Sequence, residues 1–307
     1  MNAVRVAITA FAFISLTVAV ESAAERAAEL HVDLRVDVPL VLVNANVTNG
    51  LGIPVPGLPQ SQFHVFENGM EQKITHFSSE DAPISVAIVF DASDSMRRKL
   101  RTAHLALHEL LHESNPEDEF SLIVFNRRAK LVVPFTKEPG EIEGELGEVR
   151  AEGRTALLDA IHLALVEMKR SARYSRKAVV ILSDGGDNQS RYTEREIRAA
   201  IWESDVQIYA VGIFDAFAPH LPKEEAHGPE LLSHIAEDTG GRHFPVDNLG
   251  ALPEICSLIG RQLRNQYVLG FVPSDPERDG KFRRVQVKVD GAALRIHARP
   301  GYYAPAN

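Results

Sequence analysis

Apolar and polar positions change their spacing twice along this chain of 307 residues. Near the start they alternate over Val32–Val38 and again over Val41–Val47, and alternation returns over Val285–Val289, which is the period of a half-buried strand. Tight-turn signals stand beside such runs: Asn49-Gly50, Asn68-Gly69 and Asp290-Gly291. We expect the β segments of residues 25–82 and 266–307, neither of which can close a core alone, to pack into one small antiparallel sandwich.

Between these ends, continuous apolar runs alternate with helical patterns. Buried strands are predicted near 85–91, 120–126, 178–183 and 206–213, with a short edge strand near 130–135. Helices are predicted near 97–113, 155–172, 193–203, 229–238 and 249–265. Such alternation forms a parallel sheet covered by helices. The predicted fold class is therefore α/β, a doubly wound, mostly parallel sheet over residues 83–265 inserted in the antiparallel sandwich.

A carboxylate and two hydroxyls follow the first buried strand. Asp91, Ser93 and Ser95 occupy alternate loop positions, so their side chains can turn the same way past the strand's carboxyl end, where open α/β sheets bind ligands. Oxygen donors without a nearby His or Cys suit hard cations such as Mg²⁺ and Ca²⁺. These three residues alone leave a second explanation open, because Asp and Ser also cap helices.

Two later residues complete the pattern. Thr155 opens a predicted helix, and Asp184 follows a second buried strand. The ordered set of Asp91, Ser93, Ser95, Thr155 and Asp184 resembles the metal-ion-dependent adhesion site (MIDAS) of von Willebrand factor type A domains. The resemblance implies that the hydroxyls contact a divalent cation, that the aspartates bind it mainly through water, and that a partner's carboxylate takes the last position. It implies Mg²⁺ as the ion, with Mn²⁺ or Ca²⁺ as alternatives.

Three further aspartates lie near this set. Asp94 stands where many members of the family have glycine, so its carboxylate either adds charge near the ion or points to solvent. For Asp159 and Asp187 we favour an interpretation as exposed helix and loop residues, since Asp is mostly found at the surface.

The layout outside the site also resembles one branch of the family. Its members are exported bacterial proteins, abundant in acidobacteria, with a leader, a β segment and a tail like those of this chain. The matching segments are Gln62–Gly69, Gln266–Gly270 and Arg299–Tyr303. The resemblance covers nearly everything after the leader and implies the same fold.

Charge excludes one class of partner. Apolar residues make up 45% of the chain and charged residues 24%, which is ordinary for a globular protein. The net charge of −9 argues against nucleic acid, which needs clustered Lys and Arg on a basic face. The densest basic run, Arg97–Arg101, is interpreted as the solvated first turns of a helix.

Residues 1–24 predict a secretory signal peptide. Arg5 supplies a positive start, Val6–Val20 is apolar, and Ser22–Ala24 offers small residues for cleavage. The apolar run is shorter than the about 20 residues of a membrane span, with an uncleaved anchor as the alternative. Cys256 is the only cysteine, and an exported chain without an internal disulfide fits a bacterial envelope. We expect a periplasmic or secreted protein without a membrane span after signal removal.

Two metal-dependent enzyme classes have partial signatures. His108–His112 reads HExxH, the zinc-peptidase pattern, and His104 lies one turn earlier. The buried stripe of the predicted helix runs through Leu107, which puts the histidines on its flank and favours at most a surface Zn²⁺ or Ni²⁺ site. Asp91 also matches the nucleophile of a Mg²⁺-dependent phosphatase, but Ser93 stands where such enzymes carry an acid/base aspartate.

The sequence therefore favours a non-enzymatic, exported binding module whose divalent cation bridges to an exposed Asp or Glu of a protein partner. A structural component of an envelope complex is the alternative, because the same residues would be present there. The long loop Phe214–Pro229 is predicted to contribute to partner choice. Its alternative is a surface insertion without a role in binding.

Overall fold

The computed structural model describes residues 40–214 and 223–306. The predicted signal peptide, the run Val32–Val38 and residues 215–222 of the loop beside the site lie outside them. The strands are β1 (Val41–Thr48), β2 (Phe63–Glu67), β3 (Met70–Gln72), β4 (Ile74–Ser78), β5 (Ile84–Asp91), β6 (Glu119–Phe125), β7 (Ala129–Thr136), β8 (Arg176–Ser183), β9 (Gln207–Ile213), β10 (Arg242–Val246), β11 (Gln266–Phe271), β12 (Phe282–Val289), β13 (Arg295–Ala298) and β14 (Gly301–Tyr303). The α-helices are α1 (Leu100–His112), α2 (Pro139–Glu148), α3 (Leu157–Ser171), α4 (Glu194–Trp202), α5 (Lys223–Glu237) and α6 (Leu252–Arg264). Within the described ranges, no helix has the length and apolar character that crossing a membrane requires.

Six strands form the central sheet in the order β10-β9-β8-β5-β6-β7. Neighbours are parallel except β6 and β7, whose antiparallel pairing places β7 at the edge. β5 and β9 are buried along their whole length, because helices cover both faces of the sheet: α1, α2 and α6 pack on one face, and α3, α4 and α5 pack on the other. Continuous apolar strands require this double cover. The predicted α/β fold class is confirmed.

Strands from both ends of the described chain form the sandwich. One antiparallel sheet has the order β13-β1-β11-β4, and the other has the order β14-β12-β2-β3. Their facing side chains share one apolar core, which includes Val43, Val65, Leu269 and Val287. The chain leaves the sandwich after β4 and returns to it in β11, the neighbour of β4. The α/β unit is thus inserted in the sandwich, as the sequence predicted.

Buried polar side chains join the sandwich to the central sheet. The Asn46 side-chain amide on β1 donates to the Tyr209 hydroxyl on β9 at 2.6 Å, and Gln266 Nε2 on β11 donates to Gln207 Oε1 at 2.7 Å. These donors lie where water cannot replace a lost partner, so each bond fixes the junction.

Tyr209→Phe is expected to lower the free energy of unfolding by about 1–2 kcal/mol, because the buried Asn46 amide loses its acceptor. Denaturant titration measures the change. Tyr303→Phe is the matched control. Tyr303 is 50% exposed, so loss of its hydroxyl should change the free energy of unfolding little. Equal effects of the two substitutions would show that the Asn46–Tyr209 bond does not stabilise the junction.

Three elements differ from the sequence expectation. The helix α2 was not predicted, because its three glycines lower helix propensity while two buried residues, Ile142 and Leu146, hold it against the sheet. The strand β10 was also missed, since it is short and contains Pro245, which sheets tolerate only at an edge such as this one. The predicted loop Phe214–Pro229 was wrong in its second half, because residues 223–229 belong to α5, which begins at Lys223 and contains Pro229.

Candidate metal centre

The predicted site residues meet at one edge of the central sheet. Asp91 ends β5, and Asp184 directly follows β8, the parallel neighbour of β5. Ser93 and Ser95 lie in the loop after β5, and Thr155 lies just before α3. Parallel strands end at the same edge, so pairing of β5 with β8 brings the two aspartates together.

Hydrogen bonds accepted by Asp91 shape the loop that carries the serines. Its Oδ1 accepts from the Ser93 backbone N–H at 2.8 Å, and its Oδ2 accepts from the Ser183 hydroxyl at 2.5 Å. The Ser93 and Ser95 hydroxyl oxygens lie 3.1 Å apart. Ser93 precedes a short 3₁₀ turn, yet its side chain makes no capping bond there. The helix-cap explanation for these residues is therefore wrong for Ser93.

Thr155 is positioned by the loop that follows Asp184. Its backbone N–H donates to Asn188 Oδ1 at 3.0 Å, and its carbonyl accepts from the Asn188 and Gln189 N–H groups at 3.0 and 3.1 Å. These bonds tie the Thr155 backbone to residues four and five positions beyond Asp184.

The neighbouring aspartates Asp159 and Asp187 fasten the same loop to α3. Asp187 Oδ2 accepts from the Leu158 N–H at 2.9 Å, and Asp159 Oδ1 accepts from the Arg191 N–H at 2.8 Å. The Asp159 side chain is only 11% exposed. The interpretation of both aspartates as solvent-facing residues was therefore wrong, because each bonds to backbone that local sequence does not reveal.

Asp94 links the loop after β5 to the segment that precedes Thr155. Its Oδ2 accepts from the Gly153 N–H at 3.0 Å, and its Oδ1 forms an ion pair with Arg97. The hydrogen bond from Arg97 holds the pKa of the Asp94 carboxyl below its usual range. Asp94 thus combines an exposed position with a bond that fixes the loop.

One buried lysine faces the aspartate pair. Arg97 and Arg98 are exposed, as expected for a solvated basic run, but Lys99 is 9% exposed and turns inward. Its Nζ lies 3.4 Å from Asp184 Oδ2 and donates to the Ile213 carbonyl at 2.8 Å. The expectation that this whole run is solvated was wrong at Lys99, whose partners are distant in sequence.

The site contains less positive than negative charge when both aspartates are ionised. Burial, with the nearby charge of Asp184, raises the pKa of Asp91 from 3.8 to about 7. The folded chain then keeps a proton that the unfolded chain releases above pH 3.8, so this carboxyl stabilises the fold at low pH and that contribution is lost as the pH rises to about 7. Once Asp91 has lost this proton, a single lysine does not balance the two buried carboxylates.

The donor set fits a hard divalent cation. It consists of two carboxylates and three hydroxyls, the oxygen ligands that Mg²⁺ and Ca²⁺ prefer. Among residues 40–214 and 223–306, no group of three or more His, Cys, Asp or Glu side chains is placed to hold a metal. Hydroxyl groups would therefore have to complete any cation site built on Asp91 and Asp184.

The HExxH histidines lie elsewhere, on the flank of α1. Leu107 and Leu111 are buried, whereas half of the His108 side chain is exposed and its Nδ1 contacts Glu143 Oε1 at 2.6 Å. The His108 and His112 rings are 6.4 Å apart. This arrangement matches the surface position that the helical pattern predicts.

Two glycines allow α5 to pack closely against the loop that carries Asp184. Gly185 has a positive φ of 77° and contacts the Gly228 backbone. A Cβ atom on Gly228 would lie 2.5 Å from the Asp184 carbonyl oxygen, closer than real contacts allow. The position of Asp184 therefore depends on the absence of a side chain at Gly228.

Comparisons with known proteins agree with this architecture. Residues 86–186 match the family described as von Willebrand factor type A domain. Mouse inter alpha-trypsin inhibitor heavy chain 4 is 27% identical over 186 residues, which cover 54% of this chain and 20% of the mouse protein. An uncharacterized protein of Synechocystis is 26% identical over 129 residues, which cover 41% of this chain and 30% of that protein. The chain thus spans less than a third of the length of either relative.

A solved structure shares the fold. The von Willebrand factor type A structure from Catenulispora acidiphila has a TM-score of 0.51 and 14% sequence identity, over 87% of this chain and 73% of that chain. At this identity the likeness shows the fold alone.

Proposed function

Residues 86–186 match the family of von Willebrand factor type A domains, and from this premise we propose that the chain is a non-enzymatic, exported binding module. A divalent cation held by Asp91, Ser93, Ser95, Thr155 and Asp184 coordinates an exposed Asp or Glu carboxylate of a protein partner. Mg²⁺ is the proposed ion, with Mn²⁺ or Ca²⁺ as alternatives. Export rests on the leader of residues 1–24, which predicts a periplasmic or secreted protein.

The observation that carries this proposal is the buried pair Asp91 and Asp184 at the edge of the sheet, beside three hydroxyl side chains. Both carboxylates are buried and repel each other, and Lys99 supplies a single positive charge beside them. Neutral hydroxyl ligands would not neutralise the positive charge of a bound cation. The remaining charge would attract a further carboxylate.

The residues of the chain have distinct roles in this proposal. Ser93, Ser95 and Thr155 would contact the ion, and Asp91 and Asp184 would hold it mainly through water. Asp91 also positions Ser93 through the backbone bond at 2.8 Å, and Asn188 positions Thr155. When bound, the cation supplies an electrophilic coordination position for the partner's carboxylate.

Mg²⁺ or Mn²⁺ is expected to raise the melting temperature of the purified chain, and Ser93→Ala is expected to abolish that rise. At a concentration one hundred times its dissociation constant, the ion stabilises the fold by about 2.7 kcal/mol. Thermal unfolding with and without Mg²⁺, Mn²⁺, Ca²⁺ and Zn²⁺ measures the effect.

The double variant His108→Ala/His112→Ala is the control, because these histidines lie on the flank of α1 and should leave the Mg²⁺ response unchanged. Stabilisation by Zn²⁺ alone, lost only in the histidine variant, would refute the proposed site and make peptidase assays the next step.

A further inference from the structure

The sheet edge that carries the metal-site residues is basic, although the chain as a whole has a net charge of −9. Four of the described loops at this edge surround the metal-site residues: residues 92–99, 126–128, 149–156 and 184–193. Together they hold eight basic and four acidic side chains. Two of the four acidic residues, Asp184 and Asp187, are turned into the site and toward α3. The outward face of the edge is therefore dominated by arginine.

Three of these arginines flank Thr155. Arg127 lies across Gly153, since a Cβ atom built there would be 2.6 Å from the Arg127 Nε. Arg128 belongs to the same turn, whose Asn126 carbonyl accepts from the N–H of residue 156 at 2.8 Å. Arg154 precedes Thr155 and places its Nη1 3.5 Å from Gln189 Oε1.

The three guanidinium groups are exposed and available. Among the residues that the structure describes, none of Arg127, Arg128 and Arg154 forms an ion pair, whereas the neighbouring Arg97 and Arg191 pair with Asp94 and Asp159. Guanidinium groups bind carboxylates through paired hydrogen bonds, and an unpaired basic rim raises the association rate of acidic partners.

We propose that the partner presents an acidic protein segment, in which one carboxylate coordinates the ion and its neighbours bind Arg127, Arg128 and Arg154. This inference rests on the proposed function and names the partner's chemistry. The rim makes the selection, because three guanidinium groups favour a segment that carries several carboxylates over one that carries a single carboxylate.

The same rim does not fit nucleic acid. Binding of single strands uses exposed aromatic side chains on which bases stack. In the four loops the only aromatic residue is Tyr192, which already stacks on His162 with ring centroids 4.0 Å apart.

The test compares two triple variants of the full chain. Arg127→Gln/Arg128→Gln/Arg154→Gln removes the rim, and Arg278→Gln/Arg284→Gln/Arg295→Gln removes the same charge from exposed positions on the sandwich side. Fluorescence anisotropy in Mg²⁺ measures binding of a labelled peptide with one Asp flanked by Glu, of the same peptide with Ser in place of Glu, and of a labelled single-stranded oligonucleotide.

The unaltered chain is expected to prefer the Glu-flanked peptide, and binding should weaken with added salt. The rim variant should lose about tenfold in affinity for this peptide, because three exposed charge pairs contribute a few-fold each. The sandwich variant should bind as the unaltered chain does. Both variants should keep the Mg²⁺-induced rise in melting temperature, which shows that the ion site is intact.

Each other outcome has a defined meaning. If Mg²⁺ stabilises the chain but the two peptides bind equally, or the Glu-flanked peptide does not bind, the acidic-partner inference is overturned while the proposed function stands. Tighter binding of the oligonucleotide overturns it in favour of nucleic acid. If Mg²⁺ has no effect on melting or on peptide binding, the proposed function itself fails.

Discussion

Replacing Lys99 with methionine is expected to lower the free energy of unfolding by about 3–5 kcal/mol in the absence of divalent cations. Methionine keeps an apolar stem of similar length, but it removes the ammonium group that lies 3.4 Å from Asp184 Oδ2. Two buried carboxylates then remain without a facing cation. Denaturant titration in a chelating buffer measures the loss.

The same variant is expected to respond more strongly to Mg²⁺ than the unaltered chain. A bound divalent cation supplies the positive charge that Lys99 otherwise provides, so it restores more stability where the lysine is missing. The measurement is the rise in melting temperature across a Mg²⁺ titration, compared between the two chains.

Lys137→Met is the matched control for this substitution. Lys137 pairs with Glu117 at the surface, and exposed ion pairs contribute little to stability. Its removal should leave both the stability and the Mg²⁺ response nearly unchanged. If Lys99→Met also leaves the stability and the Mg²⁺ response unchanged, Lys99 does not balance the charge of the aspartate pair. If Lys99→Met lowers the stability but leaves the Mg²⁺ response unchanged, Lys99 stabilises the fold independently of the metal site.

Gly228→Val is the second substitution with a large expected effect. The new side chain would meet the Asp184 carbonyl and the Gly185 backbone, neither of which can rotate away. We expect a loss of about 3 kcal/mol, at the upper end of the overpacking range. The displaced Asp184 should also abolish the Mg²⁺-induced rise in melting temperature.

The control is Gly144→Val on α2, where a Cβ atom meets nothing within 4 Å. Both glycines lie in helices, so the change in helix propensity is shared, and Gly144→Val should stay within about 0.5 kcal/mol of the unaltered chain. A Gly228→Val variant that keeps its Mg²⁺ response would show that α5 does not fix the position of Asp184.

The common edge of the candidate site residues could be predicted from sequence because the geometry of parallel strands is general. Asp91 and Asp184 each follow a continuous apolar run, and such runs become strands of a parallel sheet, whose carboxyl ends carry ligand sites. The spacing therefore placed each aspartate at a carboxyl end, but only the resemblance to von Willebrand factor type A domains joined them in one set, because spacing does not say which strands are neighbours.

The role of Lys99 could not be predicted in this way. Its partner Asp184 lies 85 positions away, and a basic residue between arginines at a helix start has the local pattern of a solvated side chain. Asp159 was missed for the same reason, since its partner Arg191 belongs to a loop whose path depends on the folded sheet. Contacts of this kind are set by tertiary packing, which local spacing does not contain.

The pairing of β1 with β11 also decides when the sandwich can form during synthesis. Val41 pairs with Phe271, so β1 leaves the ribosome roughly 230 residues before its partner, a delay of about 10–45 s at ordinary elongation rates. The α/β unit lies between them and can fold in that time. Until β11 is synthesised, the apolar face of β1 stays exposed. Premature association of this strand with other chains is therefore the step at which aggregation competes with folding.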